Sequence, residues 1–458
     1  MSSSPRFQSY DPDQTRLLPE DMRQWLPEDH LIYFLMDLVD TLDLQEIYAS
    51  YDDGSRGGRP PYHPKMLLNV LLYAYCTGEP SSRKIEKATY ERVPYRILAG
   101  DQHPDHDTIS SFRKDHLPAL GRLFGQVLAL CKKAGLVKLG HVSLDGTKIK
   151  ANASKHKAMS YGRMEKQVDE LEAEVNQLLD TAKKTDAAED AAYGAGKRGD
   201  ELPDELRFKK SRLAKIQEAK KALEEEARAA TSEKQAEYEA KIRAREARGN
   251  RGRSPKPPSE KPDPKSQRNF TDPDSRIMPT DGKTFVQGYN CQTAVDSESQ
   301  VIVAVDVVQT TVDKQQVKPM VDRIKTNTGE NPRKLSADAG YFTKENVETL
   351  QKEGIDAYIA TGKQKHSDPT SPCPRGRIPK SATVKDRMAR KLHTVKGRAT
   401  YALRKEIIEP VFGQIKAARG FDRFSFRGHK NVKDEWNIVC SCHNILKLFR
   451  SGCDLAFT

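Results

Sequence analysis

From residue 60 onward, apolar positions first recur at helical spacing. Pro64 suits a first helical turn. Met66, Leu67, Val70, Leu71 and Ala74 follow, and Thr77-Gly78-Glu79-Pro80 stops the helix. Ser81 to Tyr90 predicts a short basic helix. Asp107 is placed to cap a helix over Thr108 to His116. A longer helix covers Leu120 to Ala134, with Leu123, Phe124, Val127, Leu128 and Cys131 on one face. Upstream, Leu38, Val39, Leu42, Leu44 and Ile47 suggest one more helix before the Gly/Arg-rich break at Gly54 to Arg59.

The pattern then changes twice. At His141 to Lys150, Val142 and Leu144 alternate with Ser143 and Asp145, which is strand spacing. Met164, Val168, Leu171, Val175 and Leu178 then form a heptad seam, and Leu206, Leu213, Ile216 and Leu223 a second arm. Thr181 to Pro203, rich in Ala, Asp and Gly, reads as a flexible tip between them. Two such arms fold as an antiparallel hairpin; a dimeric coiled coil or a solvated single helix fits the same positions. Arg248 to Arg268 is Pro-, Lys-, Ser- and Arg-rich and predicts a disordered or extended linker.

Beyond Phe270 the pattern is α/β. Strand-like runs at Phe285 to Val295 and Gln300 to Val308 flank a short loop. A helix follows at Thr311 to Thr326, a strand at Lys334 to Ala337 ending on Asp338, a helix at Lys344 to Glu353 and a strand at Ile355 to Ala360. Residues 363–400 read as polar, basic loop. Helices follow at Arg404 to Lys416 and Glu435 to Arg450. With the coiled insertion removed, the order is β-β-β-α-β-α-β-α, that of the ribonuclease H fold.

The expected fold is therefore an α/β ribonuclease H-like core with an all-α N-terminal domain of helix-turn-helix type and an α-helical coiled-coil insertion. The expected segments are 1–55 (N-terminal helices), 56–138 (helical DNA-binding domain), 139–153 (first core strand), 154–247 (coiled insertion), 248–268 (linker), 269–450 (remaining core) and 451–458 (tail).

Charge narrows the partner. Lys and Arg number 77 against 65 Asp and Glu, a formal charge of +12 over 458 residues. Basic residues run through most of the chain. Nucleic acid rewards them through counterion release, although a merely soluble basic protein has the same composition. Arg83, Lys84 and Arg113 lie on two of the short helices, as in a helix-turn-helix unit; a small bundle with a solvated basic face is the alternative. Apolar runs such as Val301 to Val305 fall far short of a membrane helix. The first residues show no leader pattern. Seven cysteines, none in C-x-x-C spacing, argue against a disulfide scaffold or zinc ribbon and fit a reducing cytoplasm. Cys440, Cys442 and His443 read as small residues of a buried helix rather than a metal site.

Three acids fall where the ribonuclease H fold places metal ligands: Asp145 on the first strand, Asp338 after the fourth and Glu409 on a late helix. Phosphodiester cleavage needs an oxygen nucleophile in line and charge relief on the leaving oxygen. Two hard cations about 3.5–4 Å apart supply both, and carboxylates suit them. Alone, Asp145-Gly146 also reads as a turn and Asp338-Ala339-Gly340 as a strand-ending loop. Beside Glu409, Ile408, Val411, Phe412 and Ile415 form an apolar stripe, while Glu409, Gly413 and Lys416 share another face. Gly413 costs about 1 kcal/mol in a helix interior. Its place there predicts close approach of a nucleic-acid backbone or of a neighbouring helix.

Several segments in order carry a resemblance: Gly58 to Pro64, Leu144-Asp145-Gly146-Thr147-Lys148, Gly288-Tyr289-Asn290-Cys291-Gln292-Thr293-Ala294-Val295-Asp296, Ser336-Ala337-Asp338-Ala339-Gly340-Tyr341, Glu409-Pro410-Val411-Phe412-Gly413-Gln414-Ile415-Lys416 and Arg427-Gly428. Residues 57–450 resemble an insertion-sequence DDE transposase. The resemblance implies that Asp145, Asp338 and Glu409 hold two Mg²⁺ ions, with Mn²⁺ as a substitute, and that Glu406 is the rival third acid. One subgroup carries Tyr-x₂-Arg-x₃-Glu-x₆-Lys. Here Tyr401, Arg404, Glu409 and Lys416 are present, with four residues between Arg404 and Glu409 and Lys405 at the offset of the usual Arg. Tyr401, Arg404, Lys405, Lys416 and Arg419 are thereby implied DNA contacts. The resemblance further implies double-stranded element ends and target DNA as partners, a homo-oligomer on DNA, and a nucleoid-associated protein. An inactive DNA-binding regulator of the same fold is the alternative.

Overall fold

The computed structural model describes residues 21–51, 61–193, 204–247, 254–255, 257–280, 284–362 and 375–453. The Gly54 to Arg59 break, the 194–203 connection and the first six linker residues lie outside them. The chain divides into two units, 1–134 with 441–458, and 135–440. The C-terminal residues thus cluster with the N-terminal helices, whereas the sequence boundaries assign them to the core and tail.

The first unit is helical: α1 (Leu31–Thr41), α2 (Gln45–Tyr48), α3 (Pro64–Thr77), α4 (Ser82–Glu91), α5 (Val93–Leu98), α6 (His106–Asp115) and α7 (Leu117–Lys133). Pro64 opens α3, with the His63 ring accepting the Lys65 N–H at 3.2 Å. Every residue from Met66 to Cys76 is buried. A helix covered on all sides belongs at the centre of its domain, and α1, α4, α5 and α6 pack on α3. Two details differ from expectation. Asp105, not Asp107, caps α6, its carboxylate accepting the Thr108 N–H at 2.6 Å. Pro94 starts the extra helix α5, which is too short to show a periodicity.

The second unit is built on one mixed sheet. Its elements are β1 (Val142–Lys150), β2 (Ala158–Ser160), α8 (Tyr161–Tyr193), α9 (Asp204–Glu246), β3 (Gln267–Asn269), β4 (Arg276–Pro279), β5 (Phe285–Asp296), β6 (Ile302–Val308), α10 (Val317–Thr328), β7 (Lys334–Ala337), α11 (Lys344–Lys352), β8 (Asp356–Ile359), α12 (Val384–His393) and α13 (Val395–Gly413). A last helix, α14, spans His429–Arg450 across the boundary of the two units.

β5 is antiparallel to β1 along one edge and meets β4 and then β6 along the other. β1, β7 and β8 continue the sheet in parallel. β5 is buried without a break from Gln287 to Asp296, as a strand covered on both faces must be. Helix α10 packs on β5 and β6, and α13 crosses β1, β5, β7 and β8. At Gly288 a β-carbon would lie 2.4 Å from the Ile149 carbonyl oxygen, so only glycine lets β1 and β5 approach there.

The insertion is two long helices. Met164, Val168, Leu171, Ile216, Ala219 and Leu223 are buried together between α8 and α9. Tyr161 reaches Glu224 at 2.7 Å, Gln217 reaches Glu172 at 2.8 Å and Lys209 reaches Glu174 at 3.2 Å, so the helices run antiparallel. Helix α8 continues to Tyr193, through the first half of the expected tip. The end of the expected linker is ordered instead: β3 pairs with β2, and the Ser266 carbonyl accepts the Tyr161 N–H at 2.8 Å. Within 363–400, expected to be loop, lie α12 and the start of α13. The only buried residue of α12 is Met388, and the early buried positions of α13 are Gly397 and Thr400, so hydrophobic periodicity cannot reveal either. Cys440, Cys442 and His443 are buried helical residues, as expected.

Candidate active site

β1 and β7 run side by side in the register Val142 with Leu335, Ser143 with Ser336, and Leu144 with Ala337. The next residue on each strand is Asp145 and Asp338. Asp145 is therefore a strand residue, not part of a turn. Its Oδ1 accepts the Gly146 N–H at 2.8 Å. Asp338 ends β7 and caps a short 3₁₀ turn, its Oδ1 accepting the Gly340 N–H at 2.8 Å.

Helix α13 lies along β1. Arg404 Nη1 donates to Asp145 Oδ2 at 2.9 Å. Twelve residues later, past the end of the α-helix, Lys416 Nζ donates to Thr147 Oγ1 at 3.2 Å. Ile408, Val411 and Ile415 are buried beneath the helix. Glu409 is exposed on α13 and precedes Lys416, in the turn that follows the helix, by seven residues. Glu406 is also exposed, and its carbonyl accepts from Gln300 at 2.9 Å.

A carboxylate outside the expected three also lies near the pair. Asp313, in the loop before α10, accepts from Asn290 Nδ2 at 2.7 Å and Gln292 Nε2 at 2.8 Å and lies 3.8 Å from Lys148 Nζ. Tyr341 donates its buried hydroxyl to Gln292. No sequence signal marks Asp313: it is a lone acid between Val312 and Lys314. Asn290 and Gln292 belong to the segment Gly288 to Asp296 that carries part of the resemblance.

Burial, against the opposing pull of Arg404 and of the Gly146 N–H and helped by the neighbouring Asp338 charge, raises the Asp145 carboxyl to about 6. Burial, then the carboxylates of Asp313, Asp145 and Asp338, hold the Tyr341 hydroxyl well above its ordinary value, so it stays a donor.

Carboxylate oxygens are the donors that Mg²⁺ and Mn²⁺ take. A β-carbon at Gly340 would sit 3.0 Å from Asp338 Oδ1 and 3.5 Å from Asp313 Oδ2. One at Gly146 would sit 3.2 Å from Asp313 Oδ1. Glycine thus keeps both approaches to these oxygens clear, and the site fits a hard cation in kind. Among the described residues, no three His, Cys, Asp or Glu side chains converge closely enough to hold a metal ion.

Beside Asp338 a cleft of about 950 Å³ is walled by Lys314, Lys385, Arg404 and Lys405, with Asp313 and Tyr401. The Arg404 guanidinium lies 5.9 Å from the centre of the Tyr401 ring. Arg83 and Lys84 are exposed on α4. Two expected DNA contacts are placed otherwise. Arg113 is buried, donating to the Pro80 carbonyl at 2.8 Å. Arg419 is buried, its Nη1 on the Val439 carbonyl at 3.3 Å. Both guanidiniums hold backbone together where the sequence suggested solvated charge. The open space around a β-carbon at Gly413 removes packing against a neighbouring helix as its purpose.

No helix among the described residues is long and apolar enough to cross a membrane. No curated protein and no solved structure matches the chain. Two family models do: a transposase domain of the DUF772 type over residues 20–115, and a transposase DDE domain over residues 259–445. These matches cover α1 to α6 and the chain from before β3 into α14, and with them the chain belongs to the insertion-sequence DDE transposases.

Proposed function

We propose that this transposase binds the terminal inverted repeats of its element and catalyses metal-dependent DNA cleavage and strand transfer on a ribonuclease H-like core. The observation that carries the reading is the parallel register of β1 and β7, which brings Asp145 and Asp338, 193 positions apart in the chain, one step beyond the last paired residues of neighbouring strands. The strand order β6-β5-β1-β7-β8 supports the same core. The antiparallel packing of α8 on α9 supports a coiled-coil insertion within one chain.

Asp145, Asp338 and Glu409 are the three acids of the reading. Asp145 and Asp338 would hold a divalent ion, which when bound activates the attacking oxygen and relieves charge on the leaving one. Two Mg²⁺ ions are proposed, with Glu409 completing the second ligand set. Glu409 stands seven positions before Lys416, which reaches Thr147 on β1, and this spacing favours it over Glu406. Arg404 orients Asp145. Lys416, already directed to Thr147, is placed to meet a backbone phosphate, and Lys405 lines the cleft where the DNA end would enter.

In the first step a water oxygen bonds to phosphorus, the P–O3′ bond breaks, and the 3′ oxygen leaves as a hydroxyl. In the second, that 3′-OH attacks a target phosphate and displaces the target's own 3′ oxygen. DNA and a second copy of the chain are the proposed partners, and nucleoid DNA the proposed location. The test is nicking of a labelled duplex carrying the element's inverted repeat, with Mg²⁺ and with EDTA. A cut at the repeat terminus with Mg²⁺ alone is expected. No cut with either Mg²⁺ or Mn²⁺ overturns the catalytic reading.

A further inference from the structure

At the far end of β1 from Asp145 lies a second concave surface, a groove of about 580 Å³ that shares no lining residue with the cleft beside Asp338. Its floor is fixed by backbone pairing. The segment after α13 docks on the end of β1: the Lys150 N–H donates to the Asp422 carbonyl at 3.0 Å, and the Phe424 N–H to the Lys150 carbonyl at 2.9 Å. Arg427 Nε donates to the Asn152 carbonyl at 3.0 Å and Asn152 Nδ2 to the Ser425 carbonyl at 2.7 Å, clamping the two walls together.

The lining includes Lys150, Lys155, Lys157, Arg423 and Arg427 and no acidic residue. Lys150 is paired with Asp422 at 2.7 Å. Lys155, Lys157 and Arg423 are exposed, and among the described residues none of the three has an acidic partner. Such a concentration of like charge on a rigid frame is costly unless a polyanion meets it. Phe285, 60% exposed at the rim, offers a flat face of the kind on which bases stack.

We propose that this groove carries the sugar-phosphate backbone of the DNA flanking the cleavage point. The inference rests on the cleavage site proposed at Asp145 and adds to it the path of the strand. Asp145 and Lys150 are five positions apart on one strand, about 17 Å at roughly 3.3 Å per residue. At 3.4 Å per base pair that is about five base pairs. The groove therefore meets the duplex about five base pairs from the scissile phosphate.

The test measures binding of the full chain, carrying Asp145→Asn and Asp338→Asn so that no cutting interferes, to a fluorescent inverted-repeat duplex across a salt series. In that background, Lys155→Ala/Lys157→Ala/Arg423→Ala should lower the slope of log affinity against log salt by about 2–3, at about 0.9 per lost phosphate contact. It should also weaken binding at least tenfold near 0.1 M salt. Lys155→Arg/Lys157→Arg/Arg423→Lys, which keeps the charges, should restore both. On a duplex trimmed to about two base pairs on both sides of the cleavage point, the triple-alanine protein and its parent should bind alike. An unchanged slope on the long duplex, or an equal loss on the trimmed one, overturns the groove. If the parent itself binds DNA without salt dependence, the DNA-end reading falls and the groove with it; parental binding with an unaffected triple variant sinks the groove alone.

Discussion

Arg404 and Asp145, 259 residues apart in the chain, are joined by a 2.9 Å hydrogen bond between a guanidinium and a carboxylate that are both largely out of water. The bond ties α13, which carries Glu409, to the strand that carries Asp145. Removing only the cation leaves a largely buried carboxylate without a counter-charge. Such losses run at about 3–5 kcal/mol, and because Asp145 keeps 23% of its side chain exposed, the low end applies. Arg404→Met should lower the unfolding free energy in urea by about 3 kcal/mol. Adding Asp145→Asn to it should recover most of the loss, since the unpaired charge is then gone.

His141 gives a pH dependence of known sign. Burial, with Lys334 nearby, holds its ring down to about 4, and its Nε2 meets Ser336 Oγ at 2.9 Å. The unfolded chain binds the proton near 6.5 and the folded chain near 4, so between those values the unfolded state carries more protons. Stability contributed by neutral His141 is complete above about 6.5 and is lost as pH falls toward 4. The full span is on the order of 3 kcal/mol. His141→Gln should flatten that part of the stability profile, and a profile identical to that of the unmodified chain would contradict it.

Two glycines should respond oppositely to a methyl group. At Gly288 the new carbon would press on the Ile149 backbone, which cannot move without breaking the β1–β5 ladder. Gly288→Ala should destabilise by about 3 kcal/mol, the upper end for overpacking. At Gly413 the backbone is helical (φ −59°) and nothing lies within 4 Å. Gly413→Ala should stabilise by up to about 1 kcal/mol. If DNA approaches there, the same change weakens binding of the inverted repeat; thermal unfolding and end binding read the two effects separately.

The features legible in the sequence were those with a repeat or a position on a strand. Asp145 lies within a predicted strand and Asp338 at the end of one, and the heptad of Met164, Val168 and Leu171 announces the insertion. What escaped notice had no periodicity behind it. Asp313 reaches the site from a loop, held by two amides whose strand was visible but whose partner was not. Arg113 and Arg419 looked like surface charge because a sequence does not show that a guanidinium can be buried on backbone carbonyls. Helix α12 is set by its Thr383–Asp386 capping box and one buried Met388, too few apolar positions to form a pattern.

Asp145, Asp338 and Glu409 are proposed to form one cleavage centre. Its most direct test is single-turnover cutting of a labelled inverted-repeat end in Mg²⁺ by Asp145→Asn, Asp338→Asn, Glu409→Gln and, for comparison, Glu406→Gln. The first three should cut at least about a thousandfold more slowly while binding the end normally, and Glu406→Gln should cut within a few-fold of the unmodified protein, a thousandfold being about 4 kcal/mol of lost transition-state stabilisation. Cutting by Asp145→Asn, Asp338→Asn and Glu409→Gln at the unmodified rate would contradict the account and leave a DNA-binding protein whose acids only hold its fold together.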